Sequence, residues 1–294
     1  MPTLAPGLLE WAVRAAAPGA EVAEVRGLRD GGSPWLVRLG RHGGVVLRVG
    51  AAGEPAPLRT EVAALRLAAG HGLPAPRLLA ADLAGDPPVV LTDLLAGSSA
   101  IPAQRPPGRL RALGRAAAAL HAVAVAPGPE LPRRDRPIGG VDFAALRRRQ
   151  PARPVLEEAG RRVAQAPPPQ AGVLVHGDLW QGNALWAGDT LAGLVDWDCA
   201  GSGSPGVDLG SLRCDAAICF GAEAAEDVRQ GWEEGAGRPA TDVAYWDVVA
   251  ALSTPPDMGW FPDAIAGQGR PDLTRELLLR RRDEFLRAAL DRLG

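Results

Sequence analysis

The sequence predicts an α+β chain of two lobes, and three observations carry that reading. Short β-like runs crowd the first third. Helical spacing dominates the remainder, broken by one β-hairpin pattern. No internal repeat runs through the 294 residues. The length and a 47% hydrophobic content allow a sizeable core. All 32 basic residues are arginine, because the chain contains no lysine, and they face 34 acids for a net charge of −2. That balance argues against a basic nucleic-acid binder. Cys199, Cys214 and Cys219 lack metal-ligand spacing and fit a reducing compartment. No basic-then-apolar leader heads the chain, and the apolar stretch 116–126 is interrupted by His121 and too short for a bilayer. The expectation is a cytoplasmic protein with no nucleic-acid or membrane partner; its oligomeric state is not legible.

In chain order, residues 6–17 read as a short helix with Leu8, Leu9, Trp11 and Ala12 on its apolar side. Runs 22–25, 35–39 and 45–49 read as strands, separated by the turn signals Gly31-Gly32 and Gly43-Gly44. Leu58, Val62, Leu65 and Ala69 mark a helix over 58–69. Residues 89–91 form a buried strand, followed by a connector, so the expected division is a lobe over 1–91, a hinge over 92–99 and a helical lobe over 100–294. Leu110, Leu113, Ala117 and Leu120 predict a long helix. Residues 127–140 and 167–170 read as loops. Runs 184–186 and 191–195 read as a hairpin around Gly188-Asp189, and everything after Gly206 reads as helical.

Chemistry concentrates in His176-Gly177-Asp178-Leu179-Trp180-Gln181-Gly182-Asn183, with Asp196-Trp197-Asp198 one hairpin later. An asparagine five residues after an aspartate, and a second aspartate returned by a two-stranded ribbon, can converge on one divalent ion. Mg2+ prefers such oxygen donors and keeps waters and phosphate oxygens as further ligands. Asp178 is then left to orient an acceptor hydroxyl and take its proton, the division of labour used in phosphoryl transfer.

These residues, with Gly193-Leu194-Val195-Asp196-Trp197-Asp198 and Gly206-Val207-Asp208-Leu209, resemble the aminoglycoside phosphotransferase-like small-molecule kinases, a family that includes choline, homoserine and fructosamine kinases. The resemblance runs from about Glu21 to the end of the chain. It implies a two-lobed protein-kinase-like fold, with an antiparallel β-sheet and one main helix in the N-lobe and a mostly helical C-lobe. It implies Asp178 as catalytic base, Asn183 and Asp196 as Mg2+ ligands, ATP as co-substrate with GTP left open, and a small-molecule acceptor. Asp208 is implied as a buried support of the catalytic loop, and His176 as a structural member of it.

The same template calls for a cation on a strand and a carboxylate on the next helix. Arg48, in an otherwise apolar run, and Glu61, at the edge of the 58–69 stripe, answer it; the family commonly carries lysine there. An edge-strand arginine facing water is the alternative. Gly31, Gly32 and Ser33 fall where a phosphate-covering loop would lie, although Gly-Gly-Ser is also an ordinary hairpin turn. Thr92 and Leu94 fall where the resemblance implies main-chain hydrogen bonds to the purine. His121 reads as a satisfied core or supporting histidine.

Residues 199–275 hold five arginines against twelve acids. Acidic walls there would attract a cationic, amine-bearing acceptor of aminoglycoside or amino-sugar type; a solvated acidic helix surface is the alternative. Asp247 interrupts an apolar run and Trp180 lies within the catalytic loop, so both are candidate acceptor contacts. A fructosamine-, choline- or homoserine-type metabolite kinase and a catalytically silent nucleotide-binding module remain alternatives.

Overall fold

Alternating apolar side chains build the first sheet. The computed structural model describes residues 3–29, 32–165, 167–169 and 171–293, and the chain divides into two compact units, residues 1–96 and 97–294. The first unit opens with α1 (Pro6–Ala16), followed by β1 (Glu24–Arg29), β2 (Gly32–Arg38), β3 (Gly44–Val49), α2 (Ala56–Gly70), β4 (Leu78–Asp82) and β5 (Val89–Asp93). The strands form an antiparallel sheet in the order β1-β2-β3-β5-β4. Trp35, Val37, Val45, Leu47, Val89 and Leu91 share one face with Ala12 of α1. On the other face Val90 packs against Leu58 and Val62 of α2. Side chains alternate along a strand, so Arg48, opposite Val90 in register, is directed to the α2 face.

The second unit contains α3 (Pro107–His121), β6 (Arg133–Arg134), α4 (Phe143–Arg148), α5 (Pro154–Gln165), β7 (Val173–Val175), β8 (Ala184–Ala187), β9 (Thr190–Leu194), β10 (Gly201–Gly203), α6 (Gly206–Phe220), α7 (Glu223–Ala236), α8 (Val243–Leu252), α9 (Phe261–Gly267) and α10 (Arg275–Leu293). Cys214, Ile218, Val248, Leu252, Phe285 and Leu286 join α6, α8 and α10 in one core. Helices α3 and α7 cross backbone to backbone. A Cβ at Gly114 would lie 2.2 Å from the Val228 carbonyl, and one at Gly231 would lie 2.1 Å from that of Arg111. This approach brings Trp232 of α7 against His121 of α3. No helix among the described residues is long and apolar enough to cross a membrane.

Four differences from the sequence reading have local causes. Thr92 is not in a connector: β5 continues through Asp93, because Thr92 and Asp93 pair with Val46 and Val45. Strand β4 was not expected; it follows a Pro-Ala-Pro stretch and its mixed burial gives no alternation. Helices α4 and α5 were also unread, although Asp142 caps α4 by accepting from the Ala145 N–H at 2.8 Å. The loop expected over 127–140 contains the two-residue β6, which pairs parallel with β10.

Candidate active site

Strand β7 delivers His176 into a loop that ends in a 3-10 turn, Gln181–Asn183, and passes directly into the β8–β9 hairpin. Two backbone N–H groups at the start of the loop point at one carboxylate. Asp208, in the first turn of α6 and fully buried, accepts from His176 N at 2.8 Å and from Gly177 N at 2.9 Å. Its Oδ2 also meets His121 Nε2 at 3.1 Å, while the Trp232 indole donates to His121 Nδ1 at 2.9 Å. An indole N–H can only donate, so Nδ1 is the acceptor and Nε2 carries the proton. The His121–Asp208 contact is therefore a hydrogen bond from a neutral ring rather than an ion pair. Burial alone would raise the Asp208 carboxyl. The donors from His121 and the His176 backbone outweigh it and hold the group below the ordinary 3.8.

His176 is buried, meets the Val195 carbonyl through Nε2 at 3.1 Å and lies 4.6 Å from the Trp197 ring. Burial keeps its pKa below 6.5, so the neutral ring ties the loop to the segment just before Asp196. Gly177 has φ +79°, and a Cβ there would sit 2.1 Å from the Cys199 carbonyl oxygen; no other residue fits.

The hairpin brings the predicted oxygen donors to one end. Ala184 pairs with Leu194, and Val195 N donates to Asn183 O at 2.9 Å, so Asp196 follows immediately beside Asn183. Asn183 is buried, and its Nδ2 donates to Asp178 O at 2.8 Å and Asp178 Oδ2 at 3.2 Å. With Nδ2 engaged, Asn183 offers Oδ1 to a cation. Asp196 is held at φ +72°, an uncommon conformation for a non-glycine residue, which fixes where its carboxylate leaves the chain. Among the described residues no three His, Cys, Asp or Glu side chains gather as a metal-binding group. One amide oxygen and one carboxylate suit an ion that keeps waters and takes phosphate oxygens, as Mg2+ does.

Gln181 in the same loop donates through N (3.2 Å) and Nε2 (2.8 Å) to Asp215 of α6. Asp215 was not singled out in the sequence. The available signal was an acid within the apolar run of α6, the same signal that pointed to Asp247. Trp180 is half-buried, packs against the helical core and lays its ring over Gly182.

Asp247 is not an acceptor contact. It is fully buried and binds Arg213 through Nε (2.8 Å) and Nη2 (2.9 Å), and Arg292 Nη2 (2.8 Å). A carboxylate in an apolar helix run is stable there because the guanidinium fork meets it. The acidic wall is also corrected. Glu223 and Asp227 pair with Arg105, Glu226 with Arg213 and Arg229, Glu233 with Arg229, and Glu234 with Arg115. Arg105 and Arg115 come from outside the segment and Arg213 and Arg229 from within it, so a count of the segment alone overstated its field.

In the first unit, Arg48 Nη1 donates to Glu61 Oε1 at 3.2 Å, with the Glu61 side chain 4% exposed and that of Arg48 20% exposed. Gly31 lies outside the described residues. Gly32 and Ser33 lie within β2 rather than in a loop, and the Ser33 hydroxyl accepts from Val49 N (2.9 Å) and donates to Val49 O (3.2 Å). Thr92 is buried in β5, and the Leu94 N–H donates to Gly44 O at 3.3 Å.

A family model described as APH, phosphotransferase enzyme family, matches residues 24–252. No curated protein matches the chain. Among solved structures, the macrolide 2'-phosphotransferase MphH from Brachybacterium faecium is similar at 21% identity, over 94% of this chain and 98% of that one, with a TM-score of 0.65. An AMP-bound spectinomycin phosphotransferase, APH(9)-Ia, is similar at 10% identity, over 98% and 99%, with a TM-score of 0.67. The aminoglycoside phosphotransferase APH(3'')-Id from Streptomyces rimosus, in complex with ADP and streptomycin, is similar at 19% identity, over 85% and 98%, with a TM-score of 0.59. At these identities the likeness is one of fold.

Proposed function

Because the chain belongs to the APH phosphotransferase enzyme family, we propose that it transfers the γ-phosphoryl group of ATP to a hydroxyl of a small, amine-bearing acceptor. The observation that carries this reading is the catalytic loop. Asp208 grips its first two N–H groups, and Asn183 Nδ2 holds Asp178 at its centre. A carboxylate fixed in this way can orient a hydroxyl and accept its proton as the phosphorus–oxygen bond forms. Asp178 is assigned that role.

Asn183 Oδ1 and the Asp196 carboxylate are the atoms that would hold Mg2+, which when bound offsets phosphate charge. Arg48, steadied by Glu61, is assigned to the nucleotide phosphates in place of the lysine this chain lacks. A guanidinium binds phosphate through two parallel N–H groups, so the charge is retained with a wider fork. Positioning and electrostatics carry most of the acceleration in this chemistry. The similar solved structures include phosphotransferases for a macrolide, spectinomycin and streptomycin, which supports an antibiotic-type acceptor.

The reading is tested by ADP release from ATP and Mg2+ across a panel of aminoglycosides, macrolides, glycated amines and choline, with Asp178→Asn as the blank. Acceptor-dependent ADP release by the parent chain alone is the expected result. Equal release by both proteins removes Asp178 from the chemistry, and no acceptor-dependent release with any compound favours the silent nucleotide-binding module.

A further inference from the structure

The helices of the second unit match most of their withdrawn acids with an arginine, and the two exceptions among the described residues, Asp208 and Asp215, lie against the catalytic loop. Among the acids of α6, α7, α8 and α10 that are not fully exposed, Glu226, Asp227, Glu233, Asp247 and Asp283 each have a guanidinium within 4.0 Å. Asp208 has two backbone N–H groups and the His121 ring instead. Among the described residues Asp215 has no cation: its Oδ2 accepts from Gln181, and its Oδ1 has the Cys219 thiol at 3.8 Å, a weak donor. Arg281 of α10 reaches the same turn of α6 but donates to the carbonyls of Ile218 and Cys219. Arg270 is engaged by Asp272 and the Pro102 carbonyl.

We propose that Asp215 is the acceptor-recognition carboxylate of this phosphotransferase, and that the cation missing from its surroundings is a protonated amine of the acceptor. The inference rests on the phosphotransfer reading and names the residue that makes an amine-bearing alcohol the preferred substrate. Position supports it. Gln181, which Asp215 holds through two hydrogen bonds, stands three residues after Asp178 and two before Asn183. A cation bound at Oδ1 is thereby anchored beside the loop that carries the base. Asp215 as a residue is half-buried, whereas Asp247 is sealed. Burial, only partly offset by the Gln181 donors, raises its pKa to about 6, so the group is ionised at pH 7.5. An ammonium ion would supply the countercharge that no described arginine gives.

The test compares amine-bearing alcohols with neutral counterparts in the same ADP-release assay: glucosamine with N-acetylglucosamine, choline with 3,3-dimethylbutanol, and aminoglycosides with their N-acetylated forms. The parent chain is expected to favour the amine by about tenfold or more in kcat/KM, mainly through KM. Asp215→Asn is expected to collapse that preference, lowering kcat/KM for the amines about tenfold more than for their neutral counterparts, whatever it does to both through Gln181. Asp215→Glu, which keeps the charge, is expected to retain much of it. Equal loss for amines and neutral alcohols in Asp215→Asn would mean that the residue only positions Gln181, and it overturns the proposal. A parent chain that uses both classes equally also overturns it while leaving the phosphotransfer reading intact. That comparison needs no variant, so it decides even if Asp215→Asn fails to fold. Transfer to no alcohol of either class removes the phosphotransfer reading itself, and this proposal with it.

Discussion

Replacing Asp215 by asparagine should make the protein more stable, and only above a definite pH. The carboxyl titrates at about 6 in the folded chain against an ordinary 3.8, because burial disfavours its ionised form more than the two Gln181 donors favour it. Between these values the folded chain holds a proton that the unfolded chain has released, so stability falls as pH rises through that window. Above about pH 6 the full cost is present, and below about pH 4 it is absent. A lift of about two pH units at about 1.4 kcal/mol each amounts to ~3 kcal/mol, which partial exposure reduces to about 1–3 kcal/mol. Asparagine cannot ionise, yet its Oδ1 can still accept from Gln181. Urea unfolding of parent and Asp215→Asn, followed by tryptophan fluorescence at pH 8 and pH 4, should show a gain of about that size at pH 8 and almost none at pH 4. A stabilised variant that has lost amine preference would be the signature of a residue retained for recognition at a cost in stability. A variant equally or less stable than the parent at pH 8, or stabilised by the same amount at both pH values, would refute the reasoning.

Three further outcomes follow from the same geometry. Arg48→Ala should raise the KM for ATP by about tenfold or more and Arg48→Lys by much less, because charge matters more than the fork at this position; equal kinetics in both would leave Arg48 an ordinary strand residue. Asp247→Ala strands the buried Arg213 guanidinium and should cost about 3–5 kcal/mol in urea unfolding, while the KM for the acceptor in the folded fraction stays near the parent value. Gly177→Ala must displace the loop from the Cys199 carbonyl and should lower kcat by about 100-fold, the effect of misplacing a catalytic group by about 1 Å, with nucleotide binding measured by calorimetry little altered.

The hairpin, the loop from His176 to Asn183 and the second and third strands were legible because each is written locally, in Gly turns, alternation and a fixed Asp-to-Asn spacing, whereas the first strand runs over Glu24–Arg29 and not over the expected 22–25. Arg48 and Glu61 were legible as a pair because a guanidinium in an apolar strand requires a partner, and the next helix supplied a carboxylate. The same argument misled at Asp247, whose partners, Arg213 and Arg292, lie 34 and 45 residues away on other helices. Local sequence does not state which arginine meets which acid, and so it could not separate the matched Asp247 from the unmatched Asp215. Composition failed in a related way: Glu223, Asp227 and Glu234 of α7 are answered by Arg105, Arg111 and Arg115, which belong to another part of the sequence. Strand β10, Gly-Ser-Gly, carries no pattern at all and exists only because β6 and β7 flank it.

The central claim is that the loop gripped by Asp208 presents Asp178 to an acceptor hydroxyl. Single-turnover transfer of labelled γ-phosphate to an identified acceptor, compared between the parent chain and Asp178→Asn at matched ATP and Mg2+ saturation, tests it most directly. The account predicts that nucleotide affinity is retained and that the transfer rate falls by about 10²–10⁴-fold, the range for loss of a general base. A transfer rate within a few fold of the parent would contradict it.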